Sequence, residues 1–339
     1  MAPGAAIRTR AGRHSTDRGQ ACAWACAAPR AVGAWRLSTP ARETARAVFA
    51  PAKINLYLHV TGRRDDGYHL LDSLVAFADI GDTVTAAAAG KLSLTVSGPE
   101  AAGLQPIRDD NLVLRAARRL AEHYGIEPRA ALTLDKHLPV ASGIGGGSSD
   151  AAAALRGLAA LWQRPLDDAA AIALELGADV PACLGGRPVW VGGIGERLDP
   201  APMLPPLGIV LANPRRELPT AAVFRARQGE FSIAAHRADI SNPEALFAML
   251  ERCRNDLTEA AISLVPEIEA VLDRLARLPN ARLARMSGSG ATCFALFADR
   301  AAASRAAAEL AQAEPAWWVR GGFLLSEPVP VRPVAAAPR

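Results

Sequence analysis

Long apolar runs are absent from this chain of 339 residues. A membrane-spanning helix needs roughly 20 consecutive apolar residues, and here even the longest alanine runs are broken by Arg, Asp or Gly. The reading is a globular protein with no membrane partner. Cysteine is scarce as well. Cys22, Cys26, Cys183, Cys253 and Cys293 are odd in number, widely spaced and without a Cys-x-x-Cys pair. That excludes a disulfide framework and suits a reducing cytoplasm. A strong excess of one charge is missing too. The formal net charge is +4, but residues 1–50 hold eight arginines against only Asp17 and Glu43. The remaining residues carry 30 basic against 32 acidic groups. A clustered cationic face, which phosphate-backbone binding requires, is therefore not expected, and nucleic acid is not an expected partner. No Gly-X-Y period or heptad organises the 28 glycines and 25 prolines.

Half of the residues are hydrophobic, enough to fill one large domain or two smaller ones. Residues 1–46 lack hydrophobic periodicity and are expected to be disordered. Their Arg-rich, acid-poor composition also describes an organellar targeting segment, although an upstream translation start is the preferred reading. Order is expected from Ala47. Ile54-Asn55-Leu56-Tyr57-Leu58-His59-Val60 alternates as a half-buried strand. Further strands are predicted over 70–86 and 91–97, with breaks at Gly81-Asp82 and Ala89-Gly90. Leu112, Ala116, Leu120 and Tyr124 mark a helix that Gly125 stops. A short strand over 131–134 and a helix over about 149–161 flank a glycine-rich loop. In the second half, helices are predicted over 243–252, 256–263, 266–278 and 300–312. Strands are predicted over 208–212, 282–286, 292–297 and 318–325. That order makes a small antiparallel sheet with helices on one face, an α+β layer. The soft boundary falls near Pro200 to Pro206, giving units of 47–203 and 204–327 and a loose tail over 328–339.

The strongest signal is Pro139-Val140-Ala141-Ser142-Gly143-Ile144-Gly145-Gly146-Gly147-Ser148-Ser149-Asp150, followed by four alanines. Glycines let successive backbone N–H groups curl around an anion, and the helix that follows points its positive end at the same place. Ser148 and Ser149 can cap the helix or bind phosphate oxygens and a metal. No Gly-Lys-Ser/Thr follows, so this is not a Walker loop. No acidic strand end lies about twenty residues on, so it is not a dinucleotide fingerprint.

The pattern Pro-x-x-x-Gly-x-Gly-Gly-Gly-Ser-Ser-Asp-Ala-Ala resembles the phosphate loop of the GHMP kinases, with Ala141 where glycine is often found. The resemblance covers about residues 47–325. It implies an α+β, two-lobed GHMP kinase fold, with a ribosomal-protein-S5-like N-terminal lobe and a ferredoxin-like C-terminal lobe. ATP would lie along 139–149, with Asn111 of Asp110-Asn111-Leu112 on the adenine side and Lys136 near the nucleotide. Ala50-Pro51-Ala52-Lys53-Ile54-Asn55-Leu56 and Leu176-Gly177-Ala178-Asp179-Val180-Pro181 resemble one branch of that family, and on that resemblance Lys53 and Asp179 are the catalytic pair. The chemistry is reasonable: a carboxylate accepts the proton of a weakly nucleophilic alcohol while an ammonium beside it polarises the hydroxyl.

In the same branch an Arg-x-Asp-Gly-Tyr-His stretch recognises cytosine. Here Arg64-Asp65-Asp66-Gly67-Tyr68-His69 matches it, so Tyr68 would stack on the base and His69 would bond its edge. Phe224 would close the other face, and Asn55 and Thr220 would contact the alcohol or its phosphates. Met286-Ser287-Gly288-Ser289-Gly290-Ala291-Thr292 resembles the third family motif, a tight hairpin beside the phosphate loop. The implied reaction is ATP-dependent phosphorylation of the 2-hydroxyl of a methylerythritol unit carried on cytidine diphosphate, a step of non-mevalonate isoprenoid synthesis. The implied partners are that small molecule, ATP and Mg²⁺, with Ser149 a candidate metal ligand and Asp150 acting through water. Monomer and homodimer both stay open. Two other readings exist. A homoserine or mevalonate type of GHMP kinase would not require Gly67-Tyr68-His69. A non-catalytic nucleotide-binding regulator would not require both Lys53 and Asp179.

Overall fold

Alternating apolar residues put strands at the start of both halves of the chain. The computed structural model describes residues 44–166, 169–237 and 240–335, which belong to one compact unit. The disorder expected over 1–46 falls outside the described residues as far as 43, and residues 44–46 are already strand. The first half supplies β1 (Thr44–Arg63), β2 (His69–Ala87), β3 (Ser93–Ser97), α1 (Leu112–His123), β4 (Ala131–Asp135) and α2 (Gly146–Trp162). It continues with α3 (Ala169–Leu176), α4 (Val180–Gly185), β5 (Val189–Gly193) and β6 (Arg197–Pro200). The second half supplies β7 (Gly208–Asn213), α5 (Thr220–Ala226), α6 (Pro243–Glu251), α7 (Thr258–Leu264) and α8 (Glu267–Ala276). It ends with β8 (Leu283–Met286), β9 (Cys293–Phe297), α9 (Arg300–Ala313), β10 (Trp318–Phe323) and β11 (Arg332–Ala335).

Two sheets result. The large one has the order β11-β1-β2-β4-β3, with β5 also on β2 and β6 on β5. The small one is β10-β7-β9-β8, antiparallel throughout. Period-two alternation assigns the faces of the small sheet. Ile209, Leu211, Phe294 and Leu296 enter the core shared with the large sheet, whereas Val210, Ala212, Cys293 and Ala295 enter the core beneath α7, α8 and α9. A third core packs α1 and α2 on the large sheet, where residues 151–154 are all alanine and all buried. The layers are therefore helices, sheet, sheet and helices.

Two expectations change. Gly81 and Asp82 do not break β2, which runs straight through them. A Cβ on Gly81 would stand 2.3 Å from the Ala50 carbonyl oxygen, so the glycine permits close strand contact rather than a turn. The tail expected to be loose contributes β11, which pairs with the first residues of β1 from Thr44↔Ala335 to Ala47↔Arg332. The start of β1 extends past its other neighbour and takes the tail as a partner for its free edge.

One irregularity positions chemistry. Val48 and Ala50 belong to the core under α2, but Ala52, Ile54 and Leu56, of the same parity, belong to the core between the sheets. A register shift between Pro51 and Lys53 separates the two sets. An extra residue at a bulge exchanges the two faces of a strand. Lys53 and Asn55 are thereby turned to the α2 side of the sheet, where the Lys53 Cβ lies 3.0 Å from where a Cβ on Gly145 would be.

Candidate active site

The glycine-rich segment opens as a loop and closes as a helix. Ala141, Gly143 and Gly145 have φ of 51°, 75° and 63°, all left-handed, and α2 begins at Gly146, three residues earlier than the sequence predicts. The helix has no side-chain cap and no acidic residue in its first turn. Its leading N–H groups are thus left to an external acceptor, as anion binding requires. The loop is pinned on three sides: Ser142 Oγ donates to Pro139 O at 2.7 Å, Thr292 N to Ser142 O at 3.1 Å, and Lys53 N to Ile144 O at 2.9 Å. Gly143 has no alternative, because a Cβ there would sit 2.5 Å from Gly290 O. That contact brings the hairpin over 287–292 against the loop, as the third motif implies.

Two residues of the segment point elsewhere. The Ile144 side chain is fully buried in the core between the sheets. Ser149, expected on phosphate or metal, is buried, with its hydroxyl donating to Pro51 O at 2.7 Å and lying 3.3 Å from Cys183 Sγ. Its place in the helix turns it onto β1, so its oxygen is already engaged, and Ser148 is the serine that faces the cleft. Burial pushes the Cys183 thiol up to about 12, so it stays protonated and inert at neutral pH.

Lys136 lies at the cleft floor, but its ammonium is engaged. Nζ donates to Asp82 Oδ2 and, at 2.8 Å, to Asp150 Oδ2. Asp82 Oδ1 also accepts from the backbone N–H groups of His137 and Leu138 at 2.6 and 2.8 Å. Burial opposes the Lys136 charge, but Asp150 and Asp82 outweigh it and raise its proton affinity. Burial likewise pushes the Asp150 carboxyl up to about 7, against the pull of Lys136. Lys136 thus anchors the strand leading into the loop to Asp150 of α2. Asp82 was missed by reading Gly81-Asp82 as a break; the alternation that continues through Val84 and Ala86 was the available signal.

Lys53 and Asp179 meet across 126 residues of sequence, Nζ to Oδ1 at 2.8 Å. The lysine side chain is only 7% exposed while the aspartate is 48% exposed, so the carboxylate faces the cleft and the ammonium supports it from behind. Asp179 precedes α4, with Pro181 in the first turn, and makes no capping bond of its own. The side chain is free for other work. Beside it, Asn55 Nδ2 donates to Ser73 Oγ at 2.8 Å and Asn55 N to Ser287 Oγ at 3.1 Å, while the buried Asn55 Oδ1 has no partner. Thr220 Oγ1 is 2.9 Å from Ser289 Oγ, joining α5 to the hairpin.

One cavity of about 1090 Å³ runs from Val140 and Ser148, past Lys53 and Asp179, to Tyr68, His69 and Phe224. Asn111 lines it near Val140 while its Oδ1 accepts from Val113 N at 2.9 Å, capping α1. Tyr68 is 62% exposed at the mouth. His69 stacks on Phe224, with centroids 5.2 Å apart and ring planes at 27°. Burial, then the guanidiniums of Arg63 and Arg227, hold the His69 imidazole below its ordinary value. Of the residues expected to bind, Ile144 and Ser149 do not line this cavity; the others do.

The family model for the GHMP kinases N terminal domain matches residues 111–187, and that for the GHMP kinases C terminal matches residues 234–316. The 4-diphosphocytidyl-2-C-methyl-D-erythritol kinase of Cereibacter sphaeroides is 55% identical over 274 residues, covering 80% of this chain and 96% of that protein. The chain belongs to the 4-diphosphocytidyl-2-C-methyl-D-erythritol kinase family. A second member, from Paramagnetospirillum magneticum, is 52% identical over 286 residues, covering 84% of this chain and all of its own length. A crystal structure of a 4-(cytidine 5'-diphospho)-2C-methyl-D-erythritol kinase superposes with a TM-score of 0.68 at 36% identity, over 82% of this chain and 98% of that one. A homoserine kinase from Cytophaga hutchinsonii also reaches 0.68, over 86% of this chain and 98% of its own, but at 19% identity. That second likeness is one of fold. Within the kinase family framework the site holds groups that no motif pointed to: Asp82, Ser73, and the arginines 63, 225 and 227, which line the cavity with Tyr68 and His69.

Proposed function

We propose that this chain transfers the γ-phosphoryl group of ATP to the 2-hydroxyl of 4-diphosphocytidyl-2-C-methyl-D-erythritol. The products are ADP and the 2-phosphate, and the setting is non-mevalonate isoprenoid synthesis in the cytoplasm. The observation that carries the reading is the Lys53/Asp179 pair at 2.8 Å, in one cavity between an uncapped helix N-terminus and an aromatic base site.

The mechanism follows from those positions. The triphosphate lies along the loop over 139–145, its oxygens met by backbone N–H groups of the loop and of the first turn of α2. The substrate hydroxyl lies at Asp179, whose Oδ2 makes no hydrogen bond among the described residues and is free to accept a proton. Lys53 fixes the carboxylate through Oδ1 and supplies positive charge where charge develops. The alcohol oxygen bonds to the γ-phosphorus as the bond to the β-γ bridging oxygen breaks, and the electron pair leaves with ADP. Asn55 Oδ1, buried and unpartnered, is the nearby acceptor for a second hydroxyl of the methylerythritol unit.

Among the described residues no group of three His, Cys, Asp or Glu could hold a metal alone. The donors fit an ion carried chiefly by the triphosphate, with Ser148 at the cleft and the unpartnered Asp150 Oδ1 as the protein oxygens beside it. Mg²⁺ bound there would neutralise triphosphate charge. The decisive experiment offers the purified protein ATP with 4-diphosphocytidyl-2-C-methyl-D-erythritol, homoserine or mevalonate. Phosphate transfer to the first alone is expected, and transfer to either control instead would overturn the reading. In Asp179→Ala, ATP binding should persist by calorimetry while turnover falls about a thousandfold. Near-normal turnover would remove Asp179 from the mechanism.

A further inference from the structure

The base end of the cavity carries positive charge that the protein leaves unbalanced. The carboxylates lining the cavity, Asp150 and Asp179, are each bonded to a lysine. Arg63 and Arg227 line it as well, and among the described residues neither meets a carboxylate. Many other arginines do, such as Arg64 on Asp66 and Arg254 on Asp256.

Both guanidiniums are nevertheless held in place. Arg63, the last residue of β1, donates Nε to Gly67 O at 3.1 Å, so the turn that presents Tyr68 also fixes Arg63. Arg227 follows the last turn of α5, donates Nη1 to Gly229 O at 2.9 Å and Nη2 to Glu230 O, and lies 5.0 Å over the Phe231 ring. Its Nε is buried with no acceptor. Neutral carbonyls orient these cations without cancelling them. Burial first, and then both guanidiniums, oppose the protonation of His69, so two like charges act on one ring. Such an arrangement costs free energy until an anion enters.

We propose that Arg63 and Arg227 form a two-sided guanidinium clamp for the diphosphate of the substrate, and so act as specificity residues. The inference rests on the substrate reading given above. In that substrate the diphosphate is the covalent link between cytidine and the alcohol. With the base at Tyr68 and His69 and the hydroxyl at Asp179, it has to pass the clamp. The planar fork of arginine suits phosphate oxygens in pairs, and the unpaired Arg227 Nε gains an acceptor. The triphosphate of ATP has its own cradle at the other end of the cavity, so the two polyanions are told apart by place.

Calorimetry with cytidine and CDP as probes tests this on the full chain. The wild type should bind CDP more tightly than cytidine. Arg63→Gln and Arg227→Gln should each weaken CDP about tenfold, the size expected for one charged hydrogen bond, and leave cytidine and the KM for ATP unchanged. Arg63→Lys and Arg227→Lys, which keep the charge and lose the fork, should fall between and serve if a glutamine variant does not fold. Equal loss of cytidine and CDP would reduce the arginines to pocket walls and overturn the clamp. So would unchanged CDP affinity, or a wild type that does not bind CDP. A wild type that prefers CDP through these arginines yet phosphorylates none of the three alcohols would overturn the substrate reading and leave the clamp standing.

Discussion

Lysine is the rare base in this chain. All but three of its 38 basic residues are arginine, and two of the three, Lys53 and Lys136, meet the carboxylates of the cleft. A compact ammonium fits where a guanidinium fork would not, between two buried carboxylates or behind the Asp179 carboxylate. Lys136→Met should therefore be severe. It leaves Asp82 and Asp150 buried without their counter-ion, and a loss of about 3–5 kcal/mol is expected in urea unfolding. Asp150 sets a pH dependence of known sign. Its carboxyl is raised from 3.8 to about 7 in the folded protein, so between those values the native state holds a proton that the unfolded chain has released. Stability from this group is full below about pH 4 and declines towards pH 7. The advantage of the wild type over Asp150→Asn in urea midpoint should shrink across that window. A difference constant from pH 4 to 7 would contradict it.

At the scale of elements, the loop, the hairpin and β7 share one network. Asn213 Nδ2 donates to Thr292 Oγ1 at 2.9 Å, and Thr292 N donates to Ser142 O in the glycine-rich loop. Asn213 Oδ1 accepts from Arg215 N at 2.7 Å, and Arg215 grips Glu100 with two bonds of 2.9 Å. Glu100 opens the short 3₁₀ turn Ala101–Leu104, and Leu104 lines the cavity where the triphosphate is proposed to lie. Glu100→Gln should thus raise the KM for ATP several-fold in steady-state kinetics and leave that for the alcohol substrate unmoved. Gly143→Ala tests the loop itself. Its Cβ would meet Gly290 O at 2.5 Å, and a displacement of about 1 Å at the phosphate should cost about a hundredfold in kcat/KM.

Much of this was legible beforehand. The glycines, the four alanines that follow them and the 3.6-residue spacing of α1 are local signals, and each motif carries its own chemistry. The pairing of Asp82, the direction of Ser149 and the pairing of β11 were not legible, because each depends on a partner far along the chain: Lys136, Pro51 and residues 44–47. Local pattern predicts that an element exists, but not what lies opposite it.

For the whole molecule, the layer between the sheets is the deciding feature. Ile54, Leu56 and Ala76 of the first half share one core with Ile209, Leu211 and Phe294 of the second. Leu325 N also donates to Phe77 O at 2.8 Å, and Trp318 Nε1 to His137 O at 3.0 Å, so the two family domains are not separable bodies. Unfolding should be one cooperative event, with tryptophan fluorescence and far-UV circular dichroism giving coincident transitions. Two resolved transitions would show the halves melting independently.

The bulge at Pro51 makes this enzyme intolerant of a change in length that leaves its chemistry untouched on paper. Inserting one residue between Ala50 and Lys53 would keep every functional group but carry all that follows one step further along the alternation. The ammonium opposite Asp179 would then rotate into the oily seam between the sheets, and Ile54 would face the nucleotide. Drift can exchange side chains in this stretch, but a single inserted codon there would part Lys53 from Asp179.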